Sequence, residues 1–216
     1  MPITLSDALI FTLAWEGGFT HHPLDPGGAT NFGVIQTRYD EYRKFKKLKT
    51  QSVKFITKAE YEEIYDKYYW DPVRAQYLSG PLGLSLFDTA VNLGVGGALS
   101  RLQSSMKLPV TGTWTKNISD KIHDSNQLDI AINICKLRVA KRYARVKQRP
   151  DQVVFLKGWL NRDNALLRKV KSLGGTTALS IEPGYDFDTE EIMNEFDVEL
   201  LSQLDSFDQD DIYDSK

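Results

Sequence analysis

The sequence predicts an α+β protein, mainly α-helical, with a small β-hairpin beside a helical lobe and an acidic C-terminal tail. Three observations carry the helical, hairpin and tail parts of that expectation. Apolar residues recur at helical spacing through most of residues 5–171. Residues 19–37 instead hold Pro23, Pro26, Gly27, Gly28 and Gly33 among short apolar pairs, which reads as turns and a small hairpin. Charge then divides the chain. Residues 1–181 carry 26 Lys+Arg and 16 Asp+Glu, whereas residues 182–216 carry one lysine and 13 acidic residues. A body of +10 and a tail of −12 thus hide behind the formal net charge of −2.

The elements follow in order. Leu5, Ala8, Leu9 and Leu13 predict a first helix, capped by Thr4 and Asp7 and stopped by Gly17-Gly18 in a left-handed conformation. Tyr39 to Thr50 is basic and reads as helix or loop. Thr57-Lys58-Ala59-Glu60 is a capping signature for a helix running through Tyr65 to Trp70, where Pro72 ends it. After Gly80-Pro81-Leu82-Gly83 a helix is expected over about 84–93, broken by Gly94, Gly96 and Gly97 and resumed over 98–106. Leu108 to Trp114 is a turn-rich connection, and helices follow at about 115–123, 126–148 and 151–171. In the acidic segment 188–214, Ile192, Phe196, Leu200 and Leu204 recur every four residues. Its composition favours disorder or a solubilising role, and its stripe favours folding onto a partner.

Composition narrows the classes. With 216 residues, 41% hydrophobic and 11% aromatic, a globular core is expected. One cysteine excludes an internal disulfide framework and a cysteine metal cluster, and Cys135 in an apolar run reads as a buried, inert thiol. His21 and His22 are adjacent and His123 is the only other histidine, so a zinc site lacks ligands and no metal or organic cofactor is expected. The start MPITLSDALIFTLAW lacks the basic beginning and cleavage site of a secretory signal, so synthesis in the cytoplasm is expected. No apolar run approaches a membrane span. A basic body suggests an anionic polymer as partner. The run Lys136, Arg138, Lys141, Arg142, Arg145, Lys147 and Arg149 lacks interleaved aromatics, so it reads as a solvated face attracted to an anionic wall, not a nucleic-acid grip. A monomer is expected.

The residues that carry chemistry lie near the start. Breaking a glycosidic bond needs a carboxyl that protonates the leaving oxygen, and a second carboxylate or an oriented water at the oxocarbenium-like centre. Glu16, at the end of the first helix, suits the acid role because the negative end of the helix dipole favours the protonated form. Nine positions on, Asp25 sits in Asp25-Pro26-Gly27-Gly28, where solvent and backbone donors favour the carboxylate. Thr30 could hold a water between them. A structural reading stands beside this one, since Glu before Gly-Gly is common at helix ends and Asp-Pro-Gly-Gly makes a good turn. Trp70 and Trp159 could stack on sugar rings or pack in the core. Asp88 and Asn92, one helical turn apart, could line a glycan cleft, or Asn92 could cap the helix before Gly94.

The wider pattern resembles a known family. Glu16-Gly17-Gly18-Phe19 and Asp25-Pro26-Gly27-Gly28-Ala29-Thr30-Asn31-Phe32-Gly33 are similar to the signature of glycoside hydrolase family 108, the bacterial and phage N-acetylmuramidases of the lysozyme superfamily. The likeness continues through Thr57-Lys58-Ala59-Glu60, Tyr68-Tyr69-Trp70, Phe87 to Gly94 and Leu102-Gln103, and ends at Lys157-Gly158-Trp159-Leu160-Asn161-Arg162. It covers about residues 5–172. It implies a muramidase catalytic region over 1–90, a helical peptidoglycan-binding region over 91–172 in the same globule, and a separate tail over 173–216. It also implies that Glu16 is the catalytic acid. The spacing of Glu16, Asp25 and Thr30 resembles the triad of phage-type lysozymes, with one residue fewer between Asp25 and Thr30. Asn31, Trp70 and Asn92 are the expected substrate contacts, and peptidoglycan glycan strands the expected partner. Delivery to the wall by a holin or a dedicated machine would follow, with the tail available to a protein partner. Two departures stand out: Thr111-Gly112 where the family has Asp-Gly, and Thr20-His21-His22-Pro23 where it has an Asn-Asp pair. A glycan- or protein-binding module with little turnover and a lytic transglycosylase are the rival expectations.

Overall fold

The computed structural model describes residues 1–20, 28–175, 196 and 198–208. Two compact units are present, Thr4–Pro72 on the one hand, and Met1–Ile3 with Val73–Lys216 on the other. Among the described residues there are eight α-helices and one two-stranded antiparallel sheet, the mainly helical, lysozyme-like class that the sequence predicts.

In the Thr4–Pro72 unit, α1 (Leu5–Leu13) begins where expected, with the Thr4 hydroxyl accepting from the Asp7 N–H at 3.1 Å. Its end differs from expectation. Neither Gly17 nor Gly18 has a positive φ. The last turn tightens instead, with Trp15 N–H donating to Thr12 C=O and Glu16 N–H to Leu13 C=O at 3.1 and 3.2 Å. Those short-range bonds use the last carbonyls, so no left-handed cap is needed. Strands β1 (Thr30–Asn31) and β2 (Val34–Ile35) pair in the register Thr30 to Ile35 and Asn31 to Val34. Phe32 and Gly33 form the two-residue connection, with φ of 48° and 72°. Both positive angles match a turn whose twist fits the flanking strands.

Helix α2 (Gln36–Phe45) follows directly, and α3 (Lys58–Tyr65) opens with the reciprocal Thr57–Glu60 capping box. A π-helical turn, Asp66–Trp70, extends α3 and is closed by Asp71 N–H donating to Asp66 C=O at 2.9 Å. The Tyr39 and Tyr42 hydroxyls donate to Glu60 and Glu63 at 2.9 and 3.0 Å. Burial first, and then these carboxylates, push both phenols above their usual range.

The other unit is built on α4 (Gly80–Ser105), α6 (Gln127–Gln148) and α7 (Val153–Leu173), which pack on one another, with the short α5 (Lys116–Lys121) between α4 and α6 in the chain. Helix α4 starts four residues earlier than expected because Pro81 lies in its first turn, where no N–H is required. The expected break survives as a kink at Gly94, with φ 80° and ψ 162°. By length and composition α4 could cross a membrane, against the expectation that no apolar run approaches a span. It is, however, mostly buried and carries Asp88 and Arg101 inside the unit, as a core helix does. Cys135 is fully buried, and burial pushes its thiol up to about 12.

The basic run on α6 is not the solvated face expected of it. Arg138, Lys141 and Arg142 are buried. Arg138 bonds Asp88 at 2.7 Å and Asp163 at 2.5 Å, and Arg142 lies 3.4 Å from Asp163. A guanidinium leaves water only where carboxylates replace the hydration, and α4 and α7 supply them. Of the expected tail, α8 (Val198–Asp205) is described, and its Leu201 and Leu204 join a buried cluster with Leu137, Val139 and Ala140. Phe196 and Leu200 pack at the edge of that cluster, so this part of the stripe is answered within the chain. Ile192 lies outside the described residues.

Candidate active site

Glu16 emerges half-buried from the end of α1, and its side chain rests on the hairpin turn. A Cβ at Gly33 would stand 3.1 Å from both Cγ and Oε2 of Glu16, and would overlap the Tyr65 hydroxyl. Position 33 therefore needs glycine twice over, for its φ and for the space. Tyr65, at the last residue of α3, is buried and donates its hydroxyl hydrogen to the Phe32 carbonyl at 2.9 Å. The phenol thus pins the same turn that carries the Glu16 carboxyl.

Tyr69 joins them from the π turn, its ring 5.6 Å from that of Tyr65. Burial raises the Tyr69 hydroxyl above its usual range, Arg38 pulls it down, and the charge of Glu16 pushes it up further. Arg38 itself lies over the ring of Tyr68, 4.5 Å from its centroid. A carboxyl side chain against a glycine turn, beside two tyrosines, is an arrangement that can hold and deliver a proton at a fixed point.

The other expected site residues fall out differently. Asp25 lies outside the described residues, as do His21 and His22. Thr30 is buried in β1, and its N–H and C=O exchange 2.9 Å hydrogen bonds with Thr20. Asn31 is buried, and its amide donates to the carbonyls of Val53 and Lys54 at 3.2 and 3.1 Å, tying the hairpin to the turn at 53–55. Trp70 is 4% exposed, at the end of the π turn. Glu16, Thr30, Asn31 and Trp70 thus share one compact unit, while Asn92 belongs to the other.

Asn92 is half-buried there, and its Oδ1 accepts from Arg138 at 3.5 Å and also from Arg142. Asp88 is fully buried between Arg138 and Arg162, the latter at 2.9 Å. Burial alone would raise the Asp88 carboxyl, but Arg162 and Arg138 overcome it and hold the group at about 2. Trp159 is half-buried, with the guanidinium carbons of Arg142 and Arg145 lying 5.0 and 5.5 Å from its ring centroid. At the departure Thr111-Gly112, the buried Gln103 accepts from both backbone N–H groups, at 2.9 and 3.0 Å, and donates to the Thr111 hydroxyl at 2.8 Å. A depression of about 370 Å³ lined by Gln36, Asp40, Thr50, Gln51 and Ser52 includes none of the candidate residues.

Tyr65 and Tyr69 were not legible as site residues. Four apart on a helix, they carry the spacing of a packed face, and only their density with Tyr61 and Tyr68 hinted otherwise.

The carboxyl-bearing hairpin lies in a stretch that is similar to a glycoside hydrolase family. Residues 9–94 match the family model described as Glycosyl hydrolase 108. The match contains Glu16, the hairpin, both tyrosines, Trp70, Asp88 and Asn92. Among solved structures the chain resembles Brucella abortus SagA, with a TM-score of 0.64 and 24% identity over 78% of this chain and 94% of that one. That likeness is one of fold. Among curated proteins nothing matches.

Proposed function

We propose that the protein is a peptidoglycan hydrolase, an N-acetylmuramidase that cleaves the β-1,4 bond between N-acetylmuramic acid and N-acetylglucosamine. The observation that carries this reading is the seat of Glu16 on the Gly33 turn, pinned by Tyr65, within a glycosyl hydrolase 108 segment. In the proposed reaction Glu16 gives its proton to the glycosidic oxygen as the bond from that oxygen to the anomeric carbon breaks. Water then supplies hydroxide to that carbon, and its second proton restores the acid. Asp25 stabilises the positive charge or steers the water, and Thr30, on the hairpin that Glu16 touches, positions it. Tyr65 acts as a positioning residue through the turn. Asn31 and Trp70 support the hairpin and the π turn on which the glycan would lie, and Asn92 serves the other unit through its arginines. Holin- or machine-mediated delivery to the wall belongs to the same proposal.

Zymography on purified cell wall tests the assignment. Lytic activity that vanishes in Glu16→Gln supports it, and unchanged lysis by that variant rejects it. Wall binding without any lysis by the parent protein would favour the binding-module rival. Mass spectrometry of the products separates hydrolysis from lytic transglycosylation, because the latter leaves anhydro-muramic ends.

A further inference from the structure

The acidic segment at the chain's end is seated with more specificity than a generic last helix requires. Leu201 and Leu204 enter the apolar floor made by Leu137, Val139 and Ala140, with Val110, Tyr143 and Leu160 at its rim. Beyond the helix, Phe207 and Asp208 lie over three glycines. A Cβ at Gly112 would overlap the Phe207 ring, one at Gly96 would stand 3.1 Å from the Phe207 carbonyl oxygen, and one at Gly97 would stand 2.5 Å from Asp208 Oδ1. Asp208 then closes the contact. Its two oxygens accept from Arg101 Nη1 and Nη2 at 2.7 and 3.1 Å, and Lys141 pairs with the same carboxylate. Lys141 also reaches Asp205 at 3.1 Å.

The Arg101 side chain is 0% exposed. A forked, two-bond pairing of guanidinium with carboxylate is the geometry by which arginine recognises a particular anion, and burial makes it selective. Glycines shaped to a backbone, an apolar floor for two leucines one turn apart, and a double cationic anchor together describe a binding site for a helical peptide.

We propose that the helical unit carries a receptor site for an acidic helix of the pattern Leu-x-x-Leu-x-x-Phe-Asp, anchored by its last carboxylate on Arg101 and Lys141. Residues 196 and 198–208 of this chain fill that site as a ligand held in cis. The surface beneath is complete without them, because α4, α6, α7 and the Thr111-Gly112 turn supply the floor, the rim and both cations. A tethered ligand competes at an effective concentration in the millimolar range. The same peptide offered in solution therefore binds only after the tethered one is weakened. The proposal is independent of the chemistry assigned to Glu16.

The experiment uses the full chain and a fluorescein-labelled peptide with the sequence of residues 196–208. In the variant Leu204→Asp/Asp208→Lys the seat empties, and the labelled peptide binds at least about tenfold more tightly than to the parent, as loss of one buried charge-assisted anchor predicts. Adding Arg101→Gln to that variant removes the gain. Equal peptide binding by parent and variant, or indifference to Arg101→Gln, would overturn the proposal. The milder variant Asp208→Asn covers the possibility that the double variant unfolds. Its amide hydrogens at 200–207 exchange about tenfold faster while those of α6 keep their parent rates. If α6 accelerates in step with α8, the segment is part of the core and not a ligand. A dimeric parent on size-exclusion chromatography, reverting to monomer in the double variant, would show the segment exchanged between copies and overturn the cis assignment.

Discussion

Two carboxylates, Glu16 and Asp88, show how differently the two units of this chain spend charge. Glu16 stands half-buried on a glycine turn, whose backbone Tyr65 pins. Asp88 is wholly buried and shared between Arg138 and Arg162, with Asp163 and Asn92 completing the arginines' contacts. One is kept where a substrate oxygen could reach it. The other is neutralised on every side and holds three helices together. A carboxylate surrounded by arginines has no proton to give at neutral pH, so its family-like position on α4 argues for architecture.

The contrast can be broken by exchanging what is lost. Replacing Glu16 by Gln removes the proposed proton donor, and lysis should fall by about 10²–10⁴-fold. Its thermal midpoint should stay within a few degrees of the parent, because the amide fills the same partly exposed space. Replacing Asp88 by Ala does the reverse. It takes a buried carboxylate from Arg138 and Arg162, and urea unfolding should report a loss of about 3–5 kcal/mol, with near-parental activity in whatever remains folded. Thermal collapse of the Glu16 variant, or a fully stable Asp88 variant, would dissolve the distinction.

A pH titration sharpens it. The Asp88 carboxyl is held at about 2 when folded, below its ordinary 3.8, so its contribution is fully present above the unfolded value. That contribution, on the order of 2 kcal/mol, drains away as pH falls from about 4 towards 2. In Asp88→Asn the unfolding free energy should lose this dependence, which a series of urea melts between those values would reveal. Next in size is Gly33→Ala, where the positive φ and the crowded Tyr65 hydroxyl should cost about 1–3 kcal/mol and lower lysis together. The smallest effect belongs to the capping box: Thr57→Ala should cost about 1 kcal/mol in urea, with specific lysis unchanged.

Helices with strong local signals were legible in the sequence. Thr57-Lys58-Ala59-Glu60 announced α3, and Thr4 with Asp7 announced α1, because capping is decided within four residues. The hairpin, too, was legible from Gly33 and the prolines, and Glu16 from its place in a family-like run. What sequence could not reveal was settled by distant partners. The basic run on α6 looked solvated because Asp88 lies 50 positions before Arg138 on α4 and Asp163 21 positions after Arg142 on α7, and only packing introduces them. Tyr65 looked like core because its buried ring is core, and its hydroxyl matters only once the turn at Phe32 is in place. Leu204 falls in a segment whose charge argues for disorder, yet its every-fourth-residue stripe argues for packing, and the buried cluster beneath it is what answers that stripe.

The π-helical turn at Asp66–Trp70 has a consequence of its own. Five residues there occupy a circuit that an ordinary helix completes in fewer, closed by the bond from Asp71 back to Asp66. Such a turn takes up one residue more than regular winding, so deleting one there, Lys67 for instance, would let the α-helix run through with Tyr69 and Trp70 kept on nearly the same face. The same deletion inside α3 would instead turn everything beyond it by about 100° around the axis and carry Tyr69 away from Glu16. The turn is thus a place where a single codon can be lost or gained while the side chains beyond it keep their direction.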